Sequence, residues 1–309
     1  MQLPQRVLLK EVGTRDGFQM EKQWIPTKHK IEICNLLSDC GFQEMQFIAF
    51  VHPKAVPNMA DAEEVLQNIR RNPHTNYSAL IPNRKGFERA YANGIRQVEM
   101  TMSATDSHNI SNLNCTTQQS LKRVEECLAL GLDMKLAVGI AVAFGCPFEG
   151  RPPFERIKWI VDSLVGMGIR EIGLADTSGV GDPRQVYEYA CRLREAYPEV
   201  HYYFHPHNTH GTAIANVIAI LQAGITTIDT SVAGLGGCPY APGASGNVAT
   251  EDLVQVLEAM GIDTGIDIDK LIAAANRTEE VVGHSDSATL RAGKLDQIME
   301  GGPHYQCNR

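Results

Sequence analysis

Short β-rich runs alternate with longer amphipathic stretches from one end of the chain to the other. The run "RVLLKEVG" predicts a first strand, and apolar positions at helical spacing predict a helix from about Thr27 to Asp39. "EMQFIAF" predicts a second strand, and "DAEEVLQNIRR" a helix opened by Asp61 at its N-cap. The third pair is "NYSALI" with "NRKGFERAYANG", where Gly94 is placed to stop the helix. "RQVEMTM" is followed by a helix from roughly Thr116 to Leu130, ended by Gly131. "MKLAVGIAVA" is followed by "PFERIKWIVDSLVGMG", with prolines at its start. "REIGLAD" pairs with "DPRQVYEYACRLREAY" and "HYYFHPH" with "GTAIANVIAILQAG". Last comes "ITTIDTSV", then a glycine-rich loop and the helix "ATEDLVQVLEAMG".

Eight strand–helix units at near-even spacing predict an α/β chain that closes a parallel (β/α)8 barrel of the TIM type. A doubly wound open sheet is the competing architecture. It favours a G-x-G-x-x-G turn after the first strand, and the chain has "EVGTRDGFQ" there. The catalytic barrel is expected over residues 1–265. A short C-terminal helical extension over 266–309 would carry "IDKLIAAANRTEEVVG" and end in a mobile polar terminus or lid extension.

Composition narrows the function classes. With 309 residues, 43% of them hydrophobic, the chain can bury one large core. No apolar run reaches eighteen residues and the N-terminus lacks an export signal, so no membrane association is expected. The eight cysteines show no C-x-x-C spacing, which argues against a disulfide scaffold and suits a reducing cytoplasm. A net charge of −8 without a basic stripe makes nucleic acid an unexpected partner. An anionic ligand would have to be held by local Arg, Lys or metal charge.

In such barrels the reacting groups sit where strands end and βα loops begin. Strand one is expected to end at Arg15 and Asp16, strand two over Gln46 to His52, and strand seven in "HPHN". Residues i and i+2 of a strand share a face, so His205 and His207 point the same way, and barrel closure brings Asp16 beside them. Asn247 would add an amide oxygen. Two nitrogens with carboxylate and amide oxygens suit Mg²⁺ or Mn²⁺, with Zn²⁺, Co²⁺ or Fe²⁺ within the same donor chemistry. The same residues also fit a hydrogen-bonded histidine cluster in a barrel core. Arg15 reads either as a salt-bridge partner of Asp16 or as a fixed cation that steadies a developing enolate. Cys238 lies in "GLGGCPYAPGASGN", which holds five glycines and two prolines in fourteen residues. It reads either as a small buried hydrophobe or as a thiol that moves a proton.

The chain closely resembles the 3-hydroxy-3-methylglutaryl-CoA (HMG-CoA) lyase family. The resemblance rests on "KEVGTRDGFQ", "AFVHPKAVPNMAD", "FGCPFEG", "FHPHNTHGTAIAN" and "SVAGLGGCPYAPGASGNVATEDLV", which span nearly the whole sequence. It implies that Asp16, His205, His207 and Asn247 ligate Mg²⁺ or Mn²⁺ and that Arg15 stabilises an enolate. It further implies that Cys238 and His205 transfer protons and that Glu251 supports the site. The implied reaction is retro-Claisen cleavage of HMG-CoA to acetyl-CoA and acetoacetate. The partner is then an acyl-CoA substrate, and the assembly a homodimer built on the helix after strand eight or the C-terminal helix. Lys22, Lys54 and Arg84 are candidate CoA contacts.

The chain departs from the family pattern at four places. "QFIAFV" stands for "E-x-T-S-F-V", so Gln46 replaces a glutamate and Ala49 a serine, and both become candidate specificity residues. "GTRDGF" stands for "GPRDGL", and Asn208 takes the place of an aspartate. Loss of the negative charge at Gln46 opens an alternative substrate, a related 3-hydroxy-3-methyl acyl-CoA such as citramalyl-CoA. A condensing acyltransferase of the isopropylmalate synthase type is a further alternative, disfavoured by the cysteine loop.

Overall fold

The predicted strands bury residues on both of their faces, as a parallel sheet covered outside by helices requires. A computed structural model describes residues 2–237 and 246–295. Within them the strands are β1 (Leu8–Glu11), β2 (Glu44–Ala49), β3 (Asn76–Leu80), β4 (Gln97–Ser103), β5 (Lys135–Ala141), β6 (Glu171–Asp176), β7 (His201–Pro206) and β8 (Thr227–Thr230). They hydrogen-bond in sequence order, and β8 pairs back onto β1 in parallel, Leu8 opposite Thr227. The chain is a closed (β/α)8 TIM barrel.

The outer ring is α1 (Thr27–Ser38), α2 (Ala62–Asn68), α3 (Arg84–Ala92), α4 (Asp106–Leu113), α5 (Thr117–Leu128), α6 (Phe154–Gly166), α7 (Pro183–Ala196), α8 (Ala213–Gln222) and α9 (Thr250–Ala259). Thr116 and Gln119 form a reciprocal cap at the start of α5. The extra helix α4 lies where the sequence suggested only a strand end. Asp61 does precede α2, but its carboxylate makes no cap bond. It accepts instead from Thr27 Oγ1 at 2.8 Å and Lys30 Nζ at 2.7 Å, fixing α1 to the second loop. Beyond the barrel, α10 (Ile268–Val282) packs against α1, with Arg277 Nε 2.9 Å from Glu32 Oε1, and α11 (Ala288–Ala292) follows. The expected mobile terminus or lid lies outside the described residues. Among those described, no helix is long and apolar enough to cross a membrane.

Two strand ends differ from expectation. β1 stops at Glu11, and Arg15 and Asp16 sit on a wide helical turn, Gly13–Gly17, rather than on the strand. Gln46 lies in the middle of β2, not at its end. There the register with β3 shifts between Gln46 and Ile48, so Phe47 is an extra residue. Such a bulge re-aims the side chains around it.

The barrel interior is polar rather than filled with branched aliphatics. Lys10, Gln46, Glu99 and Asp229 are all buried in it, and Tyr203 lies over Lys10 with Nζ 4.1 Å from the ring centroid. Space for that ring comes from β6. A methyl group added at Gly173 would overlap the end of the Tyr203 ring and come 2.6 Å from its hydroxyl. Gly173→Ala is therefore expected to destabilise the fold by about 1–3 kcal/mol through overpacking. Urea denaturation measures it, and an unchanged midpoint would show that Tyr203 moves aside freely.

Candidate active site

Three ligand-type side chains converge at the C-terminal mouth of the barrel. His205 and His207 lie at the end of β7 on one face, and Asp16 reaches them from the turn after β1. One ligand atom from each lies within 4.8 Å of the others. The two imidazoles face each other with Nε2 atoms 3.2 Å apart, and Asp16 Oδ2 is 3.8 Å from His205 Nε2. Asn247 completes the group: its Nδ2 donates to Asp16 Oδ2 at 2.8 Å and to the Leu235 carbonyl at 3.0 Å. An isolated bridge between His207 and Asn247 joins the far end of the glycine-rich loop to β7. Gly236 permits that approach, because its φ is +132° and a Cβ there would meet Asn247 Nδ2 at 2.5 Å.

Electrostatics prepare these groups to hold a cation. Burial alone would push the Asp16 carboxyl up, but the Arg15 guanidinium and then the two histidines hold it well below the usual range. Burial, with His205 adding to it, pushes His207 down to about 3, so its ring is neutral. For His205 burial also opposes charge, yet the Asp229 and Asp16 carboxylates outweigh it and raise the pKa. His205 Nδ1 is 3.0 Å from Asp229 Oδ2, which turns Nε2 toward Asp16 and His207. Two imidazole nitrogens and a carboxylate oxygen that meet at one buried point fit a divalent cation.

Arg15 Nη1 donates to Asp16 Oδ1, and Gln19 Nε2 reaches the same oxygen at 2.9 Å. The salt-bridge reading of Arg15 is thus present in the structure. Its Nε has no hydrogen-bond partner among the described residues, and the side chain lines the cavity.

That cavity has a volume of about 530 Å³. Its mouth includes His52, Asn83, Asn114 and Arg123, and its depth runs past Ala141 and Ala175 to Thr101, Glu99 and Tyr203. Arg123, rather than Lys22, Lys54 or Arg84, brings a cation to this rim.

The remaining expected site residues fall elsewhere. Gln46 and Ala49 are wholly buried behind the wall and do not line the cavity. Glu251 is buried in the first turn of α9, and its Oε2 accepts from the Ala233 amide at 3.2 Å, where φ is +58°. It therefore holds the start of the loop after β8 rather than touching the cavity. Cys238 lies outside the described residues. Lys10, Glu99 and Asp229 were not singled out from sequence. The available signal was a charged residue at an inward position of an otherwise apolar strand.

Residues 6–278 match the HMGL-like family. A hydroxymethylglutaryl-CoA lyase of Bacillus subtilis is 41% identical over 92% of this chain and 95% of the relative. The chain belongs to the HMG-CoA lyase family. A crystal structure of the B. subtilis HMG-CoA lyase superposes with a TM-score of 0.91 at 41% identity, covering 94% of this chain and 99% of that one. An HMG-CoA lyase from Acinetobacter baumannii, solved with coenzyme A and 3-methylmalate, superposes with a TM-score of 0.90 at 38% identity. That match covers 94% of this chain and 96% of the other. Membership makes the chain a carbon–carbon lyase with a divalent-metal-dependent chemistry, for which the Asp16–His205–His207 group is the matching donor set.

Glu251 also carries a pH signature. Burial pushes it from 4.5 up to about 8, so over that interval the folded chain keeps a proton that the unfolded chain has released. Its contribution to stability is full below its unfolded pKa and is lost as pH rises through the folded one. Glu251→Gln leaves an acceptor for the Ala233 amide and removes the titration. The substitution is expected to flatten the decline of stability between about pH 5 and 8, by on the order of a few kcal/mol. Denaturant titrations across that range check it, and a slope equal to wild type would place the ionisation elsewhere.

Proposed function

We propose that the protein cleaves HMG-CoA to acetyl-CoA and acetoacetate, with Asp16, His205, His207 and Asn247 holding Mg²⁺ or Mn²⁺. The observation that carries this reading is the convergence of two imidazoles and a carboxylate on the wall of a deep cavity, next to the Arg15 guanidinium. Bound there, the divalent ion would orient the C3 hydroxyl and lower its pKa.

The protein's own groups supply the rest. His205, with Nδ1 held against Asp229, offers Nε2 to the ion. Its part in proton transfer is to orient the hydroxyl held there, whose proton leaves to water in the cavity. The C2–C3 electron pair then moves onto the thioester as the C3 carbonyl of acetoacetate forms. Arg15 would stabilise the enolate oxygen, and removing such a group typically costs roughly 3–4 kcal/mol of barrier. The enolate carbon takes a proton to give acetyl-CoA. Cys238, on the glycine-rich loop, is the proton donor in this reading. Glu251 acts at one remove, by fixing Ala233 at the base of that loop.

Cytoplasmic location belongs to the same reading, supported by cysteines without paired spacing. So does a homodimer, with α9 and α10 as the expected contact elements. Residues 1–265 are read as the catalytic barrel and 266–309 as its C-terminal extension.

Two experiments test the proposal. Purified protein with Mg²⁺ or Mn²⁺ should release acetyl-CoA from HMG-CoA and lose that activity in EDTA, measured by a coupled acetyl-CoA assay. Release from citramalyl-CoA alone would move the assignment to the related substrate, and silence with both would end the lyase reading. Cys238→Ser is expected to depress turnover by about 10²-fold or more while metal affinity, measured by titration calorimetry, stays near wild type. Equal loss of both would make Cys238 structural.

A further inference from the structure

Beneath the proposed metal site the cavity continues to a polar floor that the cleavage chemistry does not use. One layer below His205 on β7, the Tyr203 ring crosses the barrel, and its hydroxyl is buried at the cavity floor beside the Glu99 side chain. Opposite it, on β4, stands Glu99. Its Oε2 accepts from Lys10 Nζ at 3.0 Å and from Gln46 Nε2 at 2.8 Å. Its Oε1 faces the cavity: a Cβ placed at Gly139, itself a wall residue, would lie 3.1 Å from Glu99 Oε1 and 3.4 Å from the Tyr203 hydroxyl. The facing walls on β5 and β6 are Gly139, Ala141, Gly173 and Ala175, which leave the space open.

This arrangement is built, not incidental. Lys10 bridges Glu99 and Asp229, at 3.0 and 3.1 Å, so the carboxylate is anchored from behind on its Oε2 side. Gln46 stands on the mid-strand bulge and donates to that same oxygen. A carboxylate with one oxygen tied to the barrel and the other presented to a cavity is a hydrogen-bond acceptor prepared for a ligand.

We propose that Glu99, with Tyr203, forms a specificity subsite for the C3 branch of the acyl-CoA, selecting a branch that ends in a hydrogen-bond donor such as a hydroxyl. The inference rests on the lyase reading for the acyl-CoA class. There the metal site takes the C3 hydroxyl with the carboxylate arm and Arg15 the thioester, so the second C3 branch, methyl in HMG-CoA, is directed to the remaining space below. A second carboxylate there is repelled by Glu99. An apolar branch long enough to displace water from it leaves it unpaired, whereas the methyl group of HMG-CoA is too short to cover it and is admitted without being favoured. Gln46 does not touch the ligand; it is a positioning residue that aims Glu99.

The test compares isosteric branches. HMG-CoA, analogues with hydroxymethyl and 2-hydroxyethyl branches, and analogues with ethyl and propyl branches are assayed for acetyl-CoA release. Wild type is expected to favour a hydroxylated branch over its apolar isostere by about tenfold or more in kcat/KM. Glu99→Leu should level or invert that ratio. If it does not fold, the swap Gln46→Glu with Glu99→Gln keeps the charge in the barrel, moves it off the floor, and should reduce the ratio likewise. Thioether analogues of the same panel, which cannot be cleaved, give the preference as a ratio of Kd values by calorimetry. Cleavage of HMG-CoA with equal use of both branch types overturns the subsite and leaves the lyase reading standing. No cleavage with a preserved Kd preference does the reverse. A ratio unmoved by either variant would make Glu99 only a strut for Lys10.

Discussion

The site depends on the two-sided carboxylate of Asp229. One oxygen pairs with Lys10 at 3.1 Å and the other with His205 Nδ1 at 3.0 Å. Burial would push this carboxyl up, and Lys10, then His205, bring it down, so the group stays an anion inside the barrel. Lys10 faces the mirror problem. Burial opposes its charge, and Asp229 and Glu99 more than offset that. Buried ion pairs of this kind add little net stability compared with an apolar core, because desolvation consumes most of the attraction. Their value here is directional. Asp229 fixes which nitrogen of His205 faces the cavity, and it does so only because Lys10 keeps it charged.

A second carboxylate organises the rim. Glu11, at the last position of β1, accepts from the Gly13 amide at 2.7 Å, the Val232 amide at 2.9 Å and Thr250 Oγ1 at 2.7 Å. It ties together the turn bearing Arg15 and Asp16, the start of the loop after β8, and the first turn of α9. The same region is strained: Ala233 adopts a left-handed conformation, and Glu251 holds its amide. The turn after β1 and the loop after β8, which supply Asp16 and Asn247, are therefore braced by buried acids rather than by contacts to each other alone.

Much of the fold was legible in the sequence because its signals are local. The alternation of strand and helix periods, Gly94 and Gly131 after their helices, and the i, i+2 pair His205 and His207 each lie within one short segment. Asp16 was legible as a partner because barrel closure places β1 near β7 whatever the details. What escaped was set by tertiary contact. Lys10, Gln46, Glu99 and Asp229 come from β1, β2, β4 and β8, and only the closed barrel makes them one network. Gln46 was placed at a strand end because the bulge at Phe47 has no clear sequence signature. The resemblance implies that Glu251 supports the site, and only the structure shows how its side chain would do so, by turning under the loop to the Ala233 amide.

The network also changes the meaning of the glutamine at position 46. Considered alone, it is a glutamate replaced by a neutral residue, and the site has lost a charge. In the barrel its amide is 2.8 Å from Glu99 Oε2, where a second carboxylate would be forced to share a proton with the first. The amide is the side chain of that shape that can donate to Glu99 and still fit. The charge absent from β2 stands on β4, anchored by Lys10 and presented at the floor of the cavity. Lys10, Gln46 and Glu99 therefore act as one coupled feature, and a change at any of them alters the electrostatics of the other two.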